Sequence, residues 1–195
     1  GPPELMRSAR GFDRQVMAVG LLAAMVSFTA LLYFLQRDLI LIYGDAEGHI
    51  NIARRIFDSR TPGLLQIGTV WLPLPHLLIL PFVVNQRLWT TGVGGSIPSM
   101  IAYIVGAMGM FRLVRGLVDG EGLGARVAPW LAVLLFAGNP NLIYLQSTAM
   151  TEPLYLALFL WAVAYLCEWA SAGREGNRVA AGRALVRSGL VLAAA

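Results

Sequence analysis

Long uncharged segments alternate with short charged ones along this chain. The first runs for 22 residues between Arg14 and Arg37, and about 20 apolar residues in a helix are enough to cross a bilayer. The pattern predicts an all-α, polytopic transmembrane protein with spans at about 16–35, 96–112, 128–145, 153–169 and from 184 onward. We expect residues 1–195 to form a single transmembrane module whose last span is truncated at the C-terminus.

Composition supports this interpretation. The chain is 57% hydrophobic and only 13% charged, whereas a soluble domain has about 25% charged residues. The net charge of +4 is modest, and the basic residues form no stripe with interleaved aromatics, so we expect no nucleic acid partner. The single cysteine, Cys167, excludes a disulfide within the chain.

Arginine clusters predict the orientation of the spans. They occur at residues 7–14, 112–126 and 174–187, and cytoplasmic loops are enriched in basic residues. All three clusters are cytoplasmic if an even number of crossings separates each from the next. This topology puts the N-terminus in the cytoplasm and the first and second outer loops on the opposite face.

The proline-rich segment 71–84 decides that parity. A crossing there would make an odd number, but three prolines and a histidine lie within 12 residues, and an interior proline costs a helix roughly 3 kcal/mol. We therefore expect 71–84 to lie along the outer interface. Trp71 and His76 are candidates for one wall of a lipid or substrate groove, or for an interfacial anchor.

The most polar stretch follows the first span. As a helix, 45–58 has an apolar stripe made by Ala46, Ile50, Ala53 and Phe57, which is typical of an interfacial amphipathic helix. Asp45 is a candidate general base or a helix N-cap.

Three further residues of the first outer loop are candidate substrate contacts. His49 lies one turn beyond the acid at 45. Arg54 and Arg55 are either a clamp for a phosphate or contacts to anionic lipid. In the second outer loop, Glu152 precedes a proline at a helix start, as a catalytic acid or as a favourable charge at the helix dipole.

The order of these features resembles the N-terminal part of the polyprenyl-phosphate-dependent glycosyltransferases of the C superfamily. Protein O-mannosyltransferases and lipid A aminoarabinose transferases are the most similar members. The resemblance rests on a span ending in Asp45-Ala-Glu47, an interfacial helix, the segment from Trp71 to His76, and Thr151-Glu152-Pro-Leu at an outer helix start.

The resemblance implies transfer of a sugar from a lipid-phosphate donor to a hydroxyl of a glycan, lipid or protein acceptor. It implies a bacterial inner or plasma membrane with the active site on its outer face. Asp45 would be the principal catalytic carboxylate, with Glu152 as the second acid and Glu47 beside them. No phosphate loop, nucleophile elbow or metal-ligand spacing occurs, so we predict no metal site from the residues, and the need for a cofactor or divalent metal stays open.

Two other classes fit the same pattern of spans. A multispanning transporter or flippase of lipid-linked substrates would place ionisable groups within its spans. A non-catalytic membrane scaffold would not depend on Asp45 or Glu152.

Overall fold

The computed structural model describes residues 13–67, 71–118, 120 and 122–194, and these residues form helices and connections without any strand. In chain order the α-helices are α1 (Arg14–Leu35), α2 (Gly44–Arg54), α3 (Pro73–Val83), α4 (Gln86–Thr90), α5 (Val93–Leu117), α6 (Leu123–Ala137), α7 (Pro140–Leu145), α8 (Glu152–Arg174) and α9 (Arg178–Ala194). A single 3₁₀ turn, Leu64–Gln66, precedes α3.

Three of these helices are long and apolar enough to cross a membrane. They are α1 with 22 residues, α5 with 25 and α8 with 23. All three contain a predicted span and extend beyond it, by three and five residues at the two ends of α5 and by one and five at those of α8. The all-helical prediction is confirmed for the described residues.

The predicted span at 128–145 is interrupted. Helix α6 ends at Ala137, and α7 begins at Pro140 after Gly138 and Asn139. The residue before a proline disfavours the α conformation, and Pro140 has no N–H to donate to the preceding turn, so the Asn139–Pro140 bond favours a break here. At 15 residues, α6 alone is shorter than the roughly 20 residues that a span needs.

The two predicted interfacial segments are both shorter as helices than expected. Helix α2 ends at Arg54 rather than at residue 58, so Phe57 lies beyond it and is 49% exposed. The expected place of Phe57 on the buried stripe is therefore wrong. Segment 71–84 does form a helix: Pro73 and Pro75 occupy its first turn, where proline is tolerated, and Pro81 lies inside the helix without ending it. Its 11 residues extend only about 16 Å.

The chain divides into two compact units. The first comprises Gly1–Ala24, Ile104–Asn139 and Leu156–Ala195, and the second comprises Met25–Tyr103 and Pro140–Tyr155. In the first unit, Glu168 of α8 accepts hydrogen bonds of 2.9 and 2.5 Å from Arg112 of α5. Ser188 of α9 donates a hydrogen bond of 3.1 Å to the Ala162 carbonyl of α8.

The second unit contains both polar stretches that the sequence singled out. Helix α2 buries three residues of its predicted stripe, Ala46, Ile50 and Ala53, against Ile79 and Val83 of α3. Small alanines at this contact let the two helix backbones approach closely. The same core includes Ala149, which comes from the connection between α7 and α8.

Gly95 is the point at which α5 comes closest to that connection, and it provides a test of the packing. A Cβ at Gly95 would lie 3.1 Å from the Ala149 Cα and closer still to its Cβ. We expect Gly95→Ala to destabilise the protein by about 1–3 kcal/mol, because backbone atoms cannot move aside as a flexible side chain can. Thermal unfolding in detergent micelles measures the effect.

Gly182 in α9 is the matched control, since nothing lies within 4 Å of its Cβ position. Gly182→Ala should be neutral or should stabilise the helix by up to about 1 kcal/mol. Equal unfolding temperatures for the two variants would contradict the close contact at Gly95.

Candidate functional site

The first turn of α2 presents two carboxylates on different sides of the helix. Asp45 and Glu47 are both exposed. The N-cap residue is Tyr43, which makes no capping hydrogen bond through its side chain, so the alternative that Asp45 is the N-cap is wrong. Residues four apart share a helix face, whereas residues two apart do not. Asp45 therefore lies on the side of His49, and Glu47 lies on the opposite side.

His49 and His76 form a buried hydrogen-bonded pair, which we call the histidine pair. His49 Nδ1 lies 3.0 Å from His76 Nε2, and the two side chains belong to residues that are 2% and 0% exposed. The indole ring of Trp71 covers His49 with 4.4 Å between ring centroids. Trp71 also lies against Gly48, where a Cβ would be 3.4 Å from the indole.

Burial keeps the histidine pair neutral near pH 7. Burial lowers the pKa of His49, while the negative charges of Asp45 and Glu152 act in the opposite direction. Burial, and then the neighbouring His49, lower the pKa of His76 to about 4, with a smaller opposing effect from the Leu72 backbone. One imidazole of the pair therefore donates and the other accepts.

Asp45 and Glu152 converge electrostatically on one residue, although 107 positions separate them in the sequence. Both carboxylates lie within electrostatic reach of His49, and both residues are exposed. The charges of two acids from separate parts of the chain thus act on the same histidine, and the prediction that both acids lie on the outer face of a membrane stays a prediction. Within the described residues, neither carboxylate is engaged in an ion pair.

Hydroxyl groups of α5 hold the segment that leads to Glu152. Ser96 donates a hydrogen bond of 2.7 Å to the Ser147 carbonyl, and Ser99 donates one of 2.8 Å to the Met150 carbonyl. Neither serine was among the predicted site residues. Ser96 and Ser99 are three residues apart and therefore lie on one face of α5. This spacing is the signal that could have revealed them.

Gln146 anchors the other end of the same segment. Its side-chain oxygen accepts a 2.6 Å hydrogen bond from Ser27 of α1, and its amide nitrogen donates to the Ile143 carbonyl and to Ser147 Oγ. Gln146, Ser147 and Thr148 are all fully buried. An uncharged polar run inside an apolar sequence was the only sign of this network.

Arg54 does not have the free guanidinium that a phosphate clamp requires. It donates to the Val83 carbonyl at 2.6 Å and the Val84 carbonyl at 3.2 Å, and to Gln86 Oε1 at 3.1 Å. Carbonyls at a helix C-terminus lack partners within the helix and carry partial negative charge. The Arg54 side chain therefore binds the C-terminal end of α3. Arg54 itself lies about 14 Å along α2 from Asp45.

The other predicted contacts divide by exposure. Arg55 is exposed just past the end of α2. His76 is fully buried and His49 is nearly so, so neither presents an exposed surface to a substrate in this conformation, and their substrate contact stays a prediction. Trp71 is partly exposed. A cleft with room for about one water molecule runs beside Glu152, lined in part by Pro75, Ile79, Pro98, Ser99, Thr151 and Leu154.

Among the described residues, no group of three or more His, Cys, Asp or Glu side chains is arranged to hold a metal ion. The candidate site consists of two exposed carboxylates, the histidine pair on which their charges act, and the indole ring that covers His49. Such a site can accept a proton from a hydroxyl group.

Comparisons with models of known protein families, with curated proteins and with solved structures find no match to this chain.

Substitutions of the adjacent residues Arg54 and Arg55 test whether Arg54 has a structural role. Arg54→Ala should lower the free energy of unfolding by about 1–3 kcal/mol, because it removes charge-assisted bonds and leaves the α3 carbonyls without a donor. Arg55→Ala, at an exposed position, should change it by less than about 0.5 kcal/mol. Unfolding in detergent measures both, and equal effects of the two substitutions would contradict the assignment.

Proposed function

We propose that this chain belongs to a membrane glycosyltransferase that takes a sugar from a polyprenyl-phosphate donor. The acceptor is a hydroxyl group on the outer face of the membrane, and Asp45 is the general base. The exposed acids Asp45 and Glu152, whose negative charges both act on the buried His49, carry the proposal, in a chain with helices long and apolar enough to span a bilayer.

The chemistry requires one base and one leaving group. The acceptor oxygen forms a bond to the anomeric carbon, the bond from that carbon to the phosphate oxygen breaks, and the acceptor proton passes to Asp45. The phosphate leaves with the bonding electron pair. Glu152, held by the hydroxyls of α5, is suited to orient the acceptor from the opposite side of the site.

The geometry limits which residues belong to this mechanism. Glu47 lies on the other face of α2, and the guanidinium of Arg54 is already bound to the end of α3. We therefore leave both out of the proposed catalytic site. The donor class rests on the resemblance in sequence order described above.

Asp45→Asn should reduce sugar transfer by at least about 100-fold, because the amide cannot accept the proton. Transfer is measured in membranes that contain the full-length chain, with a radiolabelled polyprenyl-phosphate sugar as donor. Asp58→Asn is the control, since Asp58 is an exposed acid beyond the end of α2 and should retain wild-type transfer.

Wild-type transfer by Asp45→Asn would remove Asp45 from the mechanism and would favour the scaffold or transporter alternatives. An equally large loss in Glu47→Gln would contradict the division of the two acids by helix face.

The proposed orientation requires Asp45 and Glu152 on the outer face. In a Cys167→Ser background, the variants Asp45→Cys and Glu152→Cys should both react with a membrane-impermeant maleimide added to intact cells. Glu175→Cys, in the predicted cytoplasmic connection between α8 and α9, should react only after permeabilisation. Labelling of residues 45 and 152 from opposite sides would overturn the proposal.

A further inference from the structure

The histidine pair joins the helix that carries Asp45 to its neighbour. His49 lies one turn from Asp45 on the same face of α2, and its ring nitrogen meets His76 of α3 at 3.0 Å. The α2–α3 contact is otherwise apolar near this point, through Ala46, Ile50 and Ile79. The pair thus provides a directional bond close to the first turn, where apolar contacts alone would allow sliding or rotation.

The second polar connection between these helices lies at the other end of α2. Arg54 binds the last carbonyls of α3, about 14 Å from Asp45. Together the two connections define the rotation of α2 about its axis, and that rotation decides the direction in which Asp45 and Glu47 point. The connection near residue 49 has the greater influence on Asp45 because it is a single turn away.

The charge of the pair also bears on the carboxylates. The charged and titratable groups that act on His49 are Asp45 on its own helix, Glu152 on α8 and His76 on α3. A neutral pair leaves both carboxylates available to an acceptor hydroxyl. A protonated pair would be a buried cation on which the charges of both acids act.

We propose that His49 and His76 are positioning residues for Asp45, and that sugar transfer requires the pair to be uncharged and hydrogen-bonded. This inference rests on the proposed function. It assigns the two histidines a role without substrate contact, which agrees with their burial. It also predicts that the site loses activity in acid when the pair gains a proton.

Substitutions can separate the hydrogen bond from the titration. An asparagine amide can occupy the position of a histidine Nδ1, so His49→Asn preserves a bond to His76 Nε2 but removes the titrating ring. His49→Leu removes both. The control for ring stacking is Trp71→Phe, which keeps the histidine pair and an aromatic ring above it.

Transfer kinetics as a function of pH provide the first readout. We expect His49→Leu to lower kcat at neutral pH by at least about tenfold with little change in KM, because Asp45 is displaced rather than removed. His49→Asn should retain more activity than His49→Leu, and its acidic limb should move to lower pH. Equal kcat values and identical pH profiles for the wild type and His49→Leu would overturn the inference.

Nuclear magnetic resonance of the chain labelled with ¹³C-histidine provides a readout that needs no activity. The sequence has only two histidines, and His49→Asn and His76→Gln assign their signals. We expect both rings to be neutral at pH 7 and to titrate below the usual histidine value of about 6.5. A ring that is already charged at pH 7 would overturn the inference.

The two readouts distinguish the possible failures. Neutral, mutually coupled histidines in a chain that transfers no sugar at any pH would reject the proposed function while leaving the pair as a structural link. Sugar transfer that depends on Asp45 but not on either histidine would reject the positioning role alone.

Discussion

The contact between α2 and α3 is the interaction on which the candidate site depends. Ala46, Ile50 and Ala53 meet Ile79 and Val83 with almost no exposed surface. Full burial of one such aliphatic side chain contributes about 1.5–3 kcal/mol. These contacts hold the helices together but have little directional preference. The histidine pair and the bonds of Arg54 supply the direction, one near each end of α2.

A second constraint acts on the connection between α7 and α8. Its residues 146–148 are completely buried, so their polar groups must find partners inside the protein. A buried polar group left without a partner costs about 1–3 kcal/mol. Ser27 and Ser96 provide two of those partners, for Gln146 and Ser147, and Ser99 binds the Met150 carbonyl further along the connection. Glu152 is therefore presented at the surface by a segment that is itself fixed by hydrogen bonds.

Helix geometry also determines the side of α2 on which each of its charged residues lies. In the sequence, Asp45, Glu47 and Arg54 form one dense polar cluster. In the folded chain the angular step of the helix separates them, so that Asp45 lies with His49 and the other two lie on the far side. Arg54 then meets the exposed carbonyls at the end of α3, an assignment that depends on where α3 happens to end.

The sequence alone determined the all-helical class, the three long apolar helices and the apolar stripe of α2, because these depend on local composition and periodicity. It also predicted, through the parity of crossings between arginine clusters, that the acids of two distant connections lie on one face of a membrane, and this orientation stays a prediction. It overestimated the lengths of α2 and of the span at 128–145, where Pro140 ends a run that hydropathy alone joins. Only the tertiary structure decided which polar residues are buried partners and which are exposed. The bond between His49 and His76, like that between Ser96 and the Ser147 carbonyl, joins residues far apart in the chain, and no local pattern encodes such a pairing.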